Sequence, residues 1–189
     1  MEALVNKDLE KAKEVIASDD TIDEKEKEIN NKAILLIAQQ APVATDLRRI
    51  IVALKISSEI ERIADMAVNI ADSVIEIGEE EYFKPIQDIP KMMDIALEMF
   101  KEAMIAFREE DIVKAKNCAL LDDKVDDLYE KLINELMRYI PENRDAINQI
   151  TQLAFVTRYI ERVADHVTNI SENTIYLVTG NRFDLNEKV

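Results

Sequence analysis

Only two glycines and four prolines interrupt 189 residues, so the chain has few places to turn. Ala, Leu, Ile, Glu and Lys dominate, and long helices follow: the expected fold class is all-α. A chain of this length can bury a core without staples. It has one cysteine, Cys118, so no internal disulfide can form and a reducing, cytoplasmic setting is expected. Neither an apolar run of about twenty residues nor a basic segment leading into an apolar one is present, so no membrane insertion and no signal peptide are expected. The formal net charge of −15 repels phosphate backbones, which argues against direct nucleic-acid binding and is compatible with metal cations or basic patches on protein partners.

The few turn residues divide the chain into two similar units. The stretch from Ile60 to Asp72 (IERIADMAVNIAD) is matched by Ile160 to Glu172 (IERVADHVTNISE), with seven of thirteen positions identical. Upstream, Asp8 to Lys13 and Asp19 to Asp23 answer Asp111 to Lys116 and Asp122 to Asp126. Gly78 and Gly180 follow the later motif, where a helix end favours a residue free to turn left-handed, and Pro42 and Pro141 precede the motif helices. The second unit reads as three helices, Ile89 to Arg108, Ile112 to Tyr139 and Glu142 to Thr179. The first reads as two, Asp8 to Gln39 and Val43 to Ile77, so most of its own first helix lacks a counterpart. The expected division is residues 1–78, an acidic Gly- and Pro-containing linker over 79–90, and residues 91–189. Tyr82 and Phe83 in the linker are expected to cover a bundle end.

Along the first motif helix, Ile56, Ile60, Ile63, Ala67, Ile70 and Val74 recur three or four apart and form an apolar seam. At 100° per residue, Glu61, Asp65, Asn69 and Asp72 fall outside it. Val156, Ile160, Val163, Val167 and Ile170 repeat the seam, with Glu161, Asp165, Asn169 and Glu172 outside. On the preceding helices Asp19 with Asp23, and Asp122 with Asp126, stand four apart beside the core seam. Two adjacent helices carrying such pairs can converge four carboxylates on one cation. Oxygen-only ligation suits Mg²⁺, Mn²⁺, Ca²⁺ or iron, whereas a structural zinc site asks for Cys and His. About eight acid pairs at i,i+4 arise by chance at this acid content; what exceeds chance is their recurrence at matching places in both units. Arg62 and Arg162 offer a competing relief by pairing with the acids. His166, about 100° round the helix from Asp165, reads as a packing or surface residue, and Met92, Met93 and Met99 as core filling.

The twin Glu-Arg-(Ile/Val)-Ala-Asp motifs with Asn four residues on, the twin Asp-x-x-(Ile/Val)-Asp motifs, and Pro42-Val43-Ala44-Thr45-Asp46-Leu47-Arg48 together resemble the PhoU family of phosphate-uptake regulators. That resemblance implies two tandem pseudo-symmetric, spectrin-repeat-like three-helix bundles. It also implies metal clusters on oxygen ligands, with iron, manganese, magnesium or zinc as the expected cofactor. Carried over by motif, one cluster would use Asp19, Asp23, Glu61 and Asp65, and the other Asp122, Asp126, Glu161 and Asp165. The implied role is a negative regulator, without enzymatic activity, between the ATPase of a Pst-type phosphate ABC transporter and a PhoR-type histidine kinase. Two other readings are a purely structural helical protein and a di-metal carboxylate enzyme. Di-iron bundles use core-facing Glu-x-x-His pairs, and this chain has one histidine.

With Met1 aligned on Met104, the seam along Ile22, Ile29, Ile60 and Ile63 is expected to lie partly open. The expectation is therefore a truncated form of a longer protein, its strip covered by a neighbouring chain, as in a homodimer, or by rearranged helices.

Overall fold

The structure is a computed structural model that describes residues 1–141 and 143–185. Among the described residues there are seven α-helices and no strand. In chain order they are α1 (Glu2–Asn6), α2 (Leu9–Ala17), α3 (Asp19–Gln40), α4 (Ala44–Ile77), α5 (Asp88–Glu109), α6 (Ile112–Tyr139) and α7 (Ile147–Thr179). A 3₁₀ turn at Arg144–Ala146 leads into α7, so that helix begins later than its periodicity suggests; the expected start at Glu142 lies outside the described residues. Among the described residues no helix is long and apolar enough to cross a membrane.

The junctions repeat as the sequence does. Asp8 caps α2 by accepting from the Lys11 N–H at 2.9 Å, and Asp111 caps α6 by accepting from Val113 and Lys114 at 2.8 and 3.1 Å. Before each cap stands a left-handed residue, Lys7 with φ 54° and Glu110 with φ 53°. The Asp8 N–H then reaches Ala3 O, as the Asp111 N–H reaches Ala106 O. The five-residue α1 is thus the counterpart of the last turns of α5.

One expected helix is two. The run from Asp8 to Gln39 breaks at Ser18, whose hydroxyl donates to Val15 O at 2.7 Å and whose N–H is shared between Glu14 O and Val15 O. A serine that competes for a backbone carbonyl bends a helix, and Asp19 and Asp20 restart it by complementing the new N-terminus. Leu121 and its neighbours carry α6 unbroken through the equivalent region.

The two longest helices, α4 and α7, form the central and most extensive interface and run antiparallel. Each start holds the other's end. Arg48 donates to Leu177 O at 3.2 Å and Tyr176 O at 3.5 Å, and Asn148 donates to Glu76 O at 2.8 Å. Orphan carbonyls at both helix ends are satisfied reciprocally, across a pseudo-twofold relating 48 to 148 and 76 to 176. Gly180, at φ 75°, packs so tightly under Arg48 that an added Cβ would sit 2.7 Å from its Nη1. Gly180→Ala should therefore cost about 2 kcal/mol from the left-handed backbone and the collision together. A double-mutant cycle with Arg48→Ala checks this: part of the loss should be recovered, and strict additivity would rule the collision out.

In the second unit α5 lies against both α6 and α7, burying Met92, Ala96, Met99 and Ala103 against Cys118, Val125, Leu132 and Leu136 and against Leu153, Val156, Ile160 and Val167. In the first unit α2 and α3 pack on α4 with only α1 beside them. The expected α4 seam is accordingly corrected: Ile56, Ile70 and Val74 are buried with Val52 and Met66, but Ile60 and Ile63 are half-buried and Ala67 is exposed. Ile29 and Leu36 on α3 are exposed as well. Tyr82 and Phe83 do cover an end: the Tyr82 hydroxyl donates to Leu4 O at 2.6 Å, and the Phe83 ring stands edge-on to Tyr139 at 5.3 Å. Burial pushes the Tyr82 phenol up to about 12.

Candidate metal centres

Both sets of four acids are gathered where the motif helix of each unit meets the helix before it. In the second unit Asp122 and Asp126 rise from successive turns of α6, and Glu161 and Asp165 from successive turns of α7. The four are close enough that Asp126 and Asp165 both act on Asp122, and Asp126 and Asp165 both act on Glu161. In the first unit Asp19 and Asp23 come from the first turns of α3, and Glu61 and Asp65 from α4. There Asp19 feels Asp23 and Asp65, and Glu61 feels Asp65 and Asp23.

Asp126 and Asp165 are exposed, Asp19, Asp23, Glu61, Asp65 and Glu161 are half-buried, and Asp122 alone of the eight is buried. Asp122 is only 5% exposed, because α5 covers the flank of α6 whereas nothing equivalent covers α3. Burial, then the charges of Asp126 and Asp165, raise the Asp122 carboxyl to about 7. Burial followed by neighbouring carboxylates also raises Asp126 and Glu161. It raises Asp165 too, against the opposing charges of Arg158, His166 and Arg162. Asp122 Oδ1 and Glu161 Oε2 are buried without a hydrogen-bond partner. The Thr168 hydroxyl lies beside Asp122 and tempers its rise, yet its Oγ1 has no partner of ordinary geometry either, nor does Ser171 Oγ. Buried polar oxygens left without a partner cost about 1–3 kcal/mol each.

The first set is better paired. Arg62 Nη1 donates to Asp65 at 3.3 Å and its Nε stands 3.5 Å from Glu61, while Lys27 lies 3.6 Å from Asp23. Asp23, Glu26, Ser58, Glu61 and Arg62 line a cleft of ≈ 180 Å³ there. Asp19 and Glu61 are raised, first by what burial they have and then by the neighbouring acids. In the second unit the pairing residue is not the motif's Arg162 but Arg158, which donates to Glu161 at 2.6 Å from one turn earlier. Among the described residues, no group of three or more His, Cys, Asp or Glu side chains is arranged to hold a metal ion as it stands. The donor chemistry fits a hard cation, but the carboxylates would have to close in on it.

Sequence reasoning missed one polar contact between the units. The Nδ1 of His166 lies 2.7 Å from Glu59 Oε2, which also accepts from Asn169 Nδ2 at 3.2 Å. His166 is thus an inter-unit contact, and Asn169 bonds across the α4–α7 interface rather than toward the acids. The counterparts of Glu59 and His166 are Tyr159 and Met66, so repeat symmetry carried no signal for them. Cys118 is fully buried, and burial raises its thiol further from the reactive thiolate.

Fold and site together define a class: two-repeat helical proteins that carry a carboxylate cluster on each repeat. The PhoU domain model matches residues 1–74 and 89–174. The chain belongs to the PhoU family. A phosphate-specific transport system accessory protein PhoU homolog from Clostridium acetobutylicum is 42% identical over 188 residues, 99% of this chain and 86% of that one. Another with the same description, from Aquifex aeolicus, is 43% identical over 179 residues, 95% of this chain and 81% of its own. The crystal structure of PhoU from Pseudomonas aeruginosa superposes with a TM-score of 0.90 at 32% identity, covering 95% of this chain and 87% of that one. That of the phosphate transport system regulatory protein PhoU from Streptococcus pneumoniae gives 0.89 at 29%, covering 96% and 86%.

Proposed function

We propose that this chain is an accessory regulator of phosphate uptake, a cytoplasmic adaptor without enzymatic activity that limits a phosphate transporter. It would meet the transporter's ATPase and a sensor histidine kinase. Family membership supports the phosphate part, since relatives are described as accessory proteins of a phosphate-specific transport system. The observation that carries the metal part is the pair of unpartnered buried oxygens, Asp122 Oδ1 and Glu161 Oε2, inside a cluster of four coupled carboxylates. Asp122, Asp126, Glu161 and Asp165 would hold the tighter ion, and Asp19, Asp23, Glu61 and Asp65 a weaker one that competes with Arg62. A bound cation would offset the carboxylates' mutual repulsion and tie each motif helix to the helix before it. Iron, manganese or magnesium suits these oxygens.

Pull-down of the transporter ATPase and the sensor kinase, with and without divalent metal, tests the adaptor role; failure to capture either in both conditions would remove its support. Calorimetry with Mn²⁺ tests the metal, and a purely structural protein would show no measurable affinity. Carboxylates must lose their protons to ligate. Because Asp122 holds its proton to about 7, uptake at the second cluster should rise between about pH 5 and 8, above the range expected of free carboxylates. Elemental analysis after equilibration across that range reads it out, and a plateau already reached at pH 5 would place the ion elsewhere.

A further inference from the structure

We propose that the groove between α4 and the C-terminal half of α7 binds a nucleoside monophosphate. It holds a cavity of ≈ 650 Å³, within the size range of small-molecule sites and far larger than a lone ion needs. The two long helices supply seven of the ten residues that line it, and the chain just past α7 supplies Arg182, Phe183 and Asp184. At 100° per residue, Lys55 and Ser58 stand about 120° or more round α4 from Ile60 and Ala67, so the cavity lies apart from the half-covered flank of the first unit. The repeat builds this wall once only. Phe155, Arg158 and Tyr159 occupy the counterparts of Lys55, Ser58 and Glu59; the two rings stand 6.4 Å apart, and Arg158 is paired with Glu161.

Each part of such a ligand has its complement. Arg48 already holds the carbonyls at the end of α7, so Lys55 and Arg182 are not needed at that helix terminus. Lys55 Nζ stands 5.8 Å from the Tyr176 ring centroid, and among the described residues neither Lys55 nor Arg182 forms an ion pair. Two cations match a phosphate monoester of charge about −2, whereas a triphosphate would bring surplus charge against the carboxylates of Glu59, Glu172 and Asp184.

The carboxylates serve as acceptors. Glu59 Oε2 is held by His166 Nδ1 and Asn169 Nδ2 at 2.7 and 3.2 Å, and Glu172 Oε1 accepts from the Leu185 N–H at 2.8 Å. One oxygen of each is left to accept from ribose hydroxyls, as acidic residues at nucleotide sites do. Phe183, 44% exposed, is the surface for the base. Lys116, 4.9 Å from its ring centroid, lines a separate cavity of ≈ 270 Å³ beyond it, so the face toward the larger cavity is open for stacking. A bare phosphate would leave the acceptors and the ring unused, and adenosine would leave the cations unmatched.

Calorimetry with AMP on the 189-residue chain, in chelator and with no partner protein present, tests this independently of the metal and transporter readings. The expected result is saturable binding with a Kd tighter than about 300 μM, and at least about tenfold weaker binding of adenosine, of inorganic phosphate and of ATP. Lys55→Ala with Arg182→Ala should weaken AMP binding at least about 30-fold, and Phe183→Ala about tenfold, at unchanged helix content. Lys101→Ala, at an exposed lysine on α5, should leave it intact. The proposal fails if AMP binds more weakly than that limit, if the double variant keeps wild-type affinity, or if Lys101→Ala weakens binding equally. It also fails if inorganic phosphate binds as tightly as AMP, which would reduce the cavity to a simple anion site.

Discussion

In chelator at pH 8, Asp122→Asn should be more stable than the wild type, and with saturating Mn²⁺ the order should reverse. The Asp122 carboxyl ionises near 7 in the folded chain, pushed there by burial and then by Asp126 and Asp165, and near 4 when unfolded. Between those values the folded state holds a proton that the unfolded state has released. Stability therefore falls as pH rises from about 4 to 7 and stays low above it. About three pH units correspond to at most about 4 kcal/mol. Asparagine removes the charge but must still find partners for its amide, so a gain of about 2 kcal/mol, or about 4–8 °C in melting temperature, is the expected reading at pH 8. At pH 4 the difference should vanish. Asp126, Glu161 and Asp165 are raised in the same direction, so the metal-free wild type as a whole should melt higher at pH 5 than at pH 8 as far as this cluster decides. A bound cation inverts the balance, because it stabilises the ionised cluster by mass action and the variant has lost one of its ligands. Thermal melts at two pH values, with chelator and with Mn²⁺, decide the matter. A variant less stable than wild type in chelator at pH 8 would mean that the Asp122 carboxylate is satisfied after all.

What could be read from the sequence was whatever the repeat states twice. The Asp8 and Asp111 caps, Gly78 and Gly180 at positive φ, and the convergence of each acid quartet all lie at paired positions, and local geometry suffices to place them. The all-helical fold and the family resemblance follow from the same duplication. Features with no twin stayed hidden. The break at Ser18 depends on one hydroxyl competing with the backbone, in a run whose apolar periodicity continues through it. Arg158 takes the role expected of Arg162 because one turn of helix decides which guanidinium reaches Glu161. The depth of Asp122 is not a property of α6 at all; it comes from α5, which lies against α6 and has only the five-residue α1 as its counterpart in the first unit. Periodicity reports which face of a helix is apolar, but how many neighbours cover the adjoining flanks is a tertiary fact.

The same asymmetry makes one substitution, applied twice, a direct measure of how the two units are built. Ile60 and Ile160 stand at identical places in the repeated motif, each followed by Glu-Arg. Ile160 is fully buried among α5, α6 and α7, whereas Ile60 is half-buried on the open side of α4. Removing three carbons from a closed core costs the lost transfer energy and leaves a cavity as well, so Ile160→Ala should destabilise by about 3–4 kcal/mol. At Ile60 the surface is already partly wet and can collapse, and Ile60→Ala should cost about 1–2 kcal/mol. For a chain of this length the difference amounts to roughly 4–8 °C in melting temperature. Equal penalties would mean that the first unit closes over its own seam in solution.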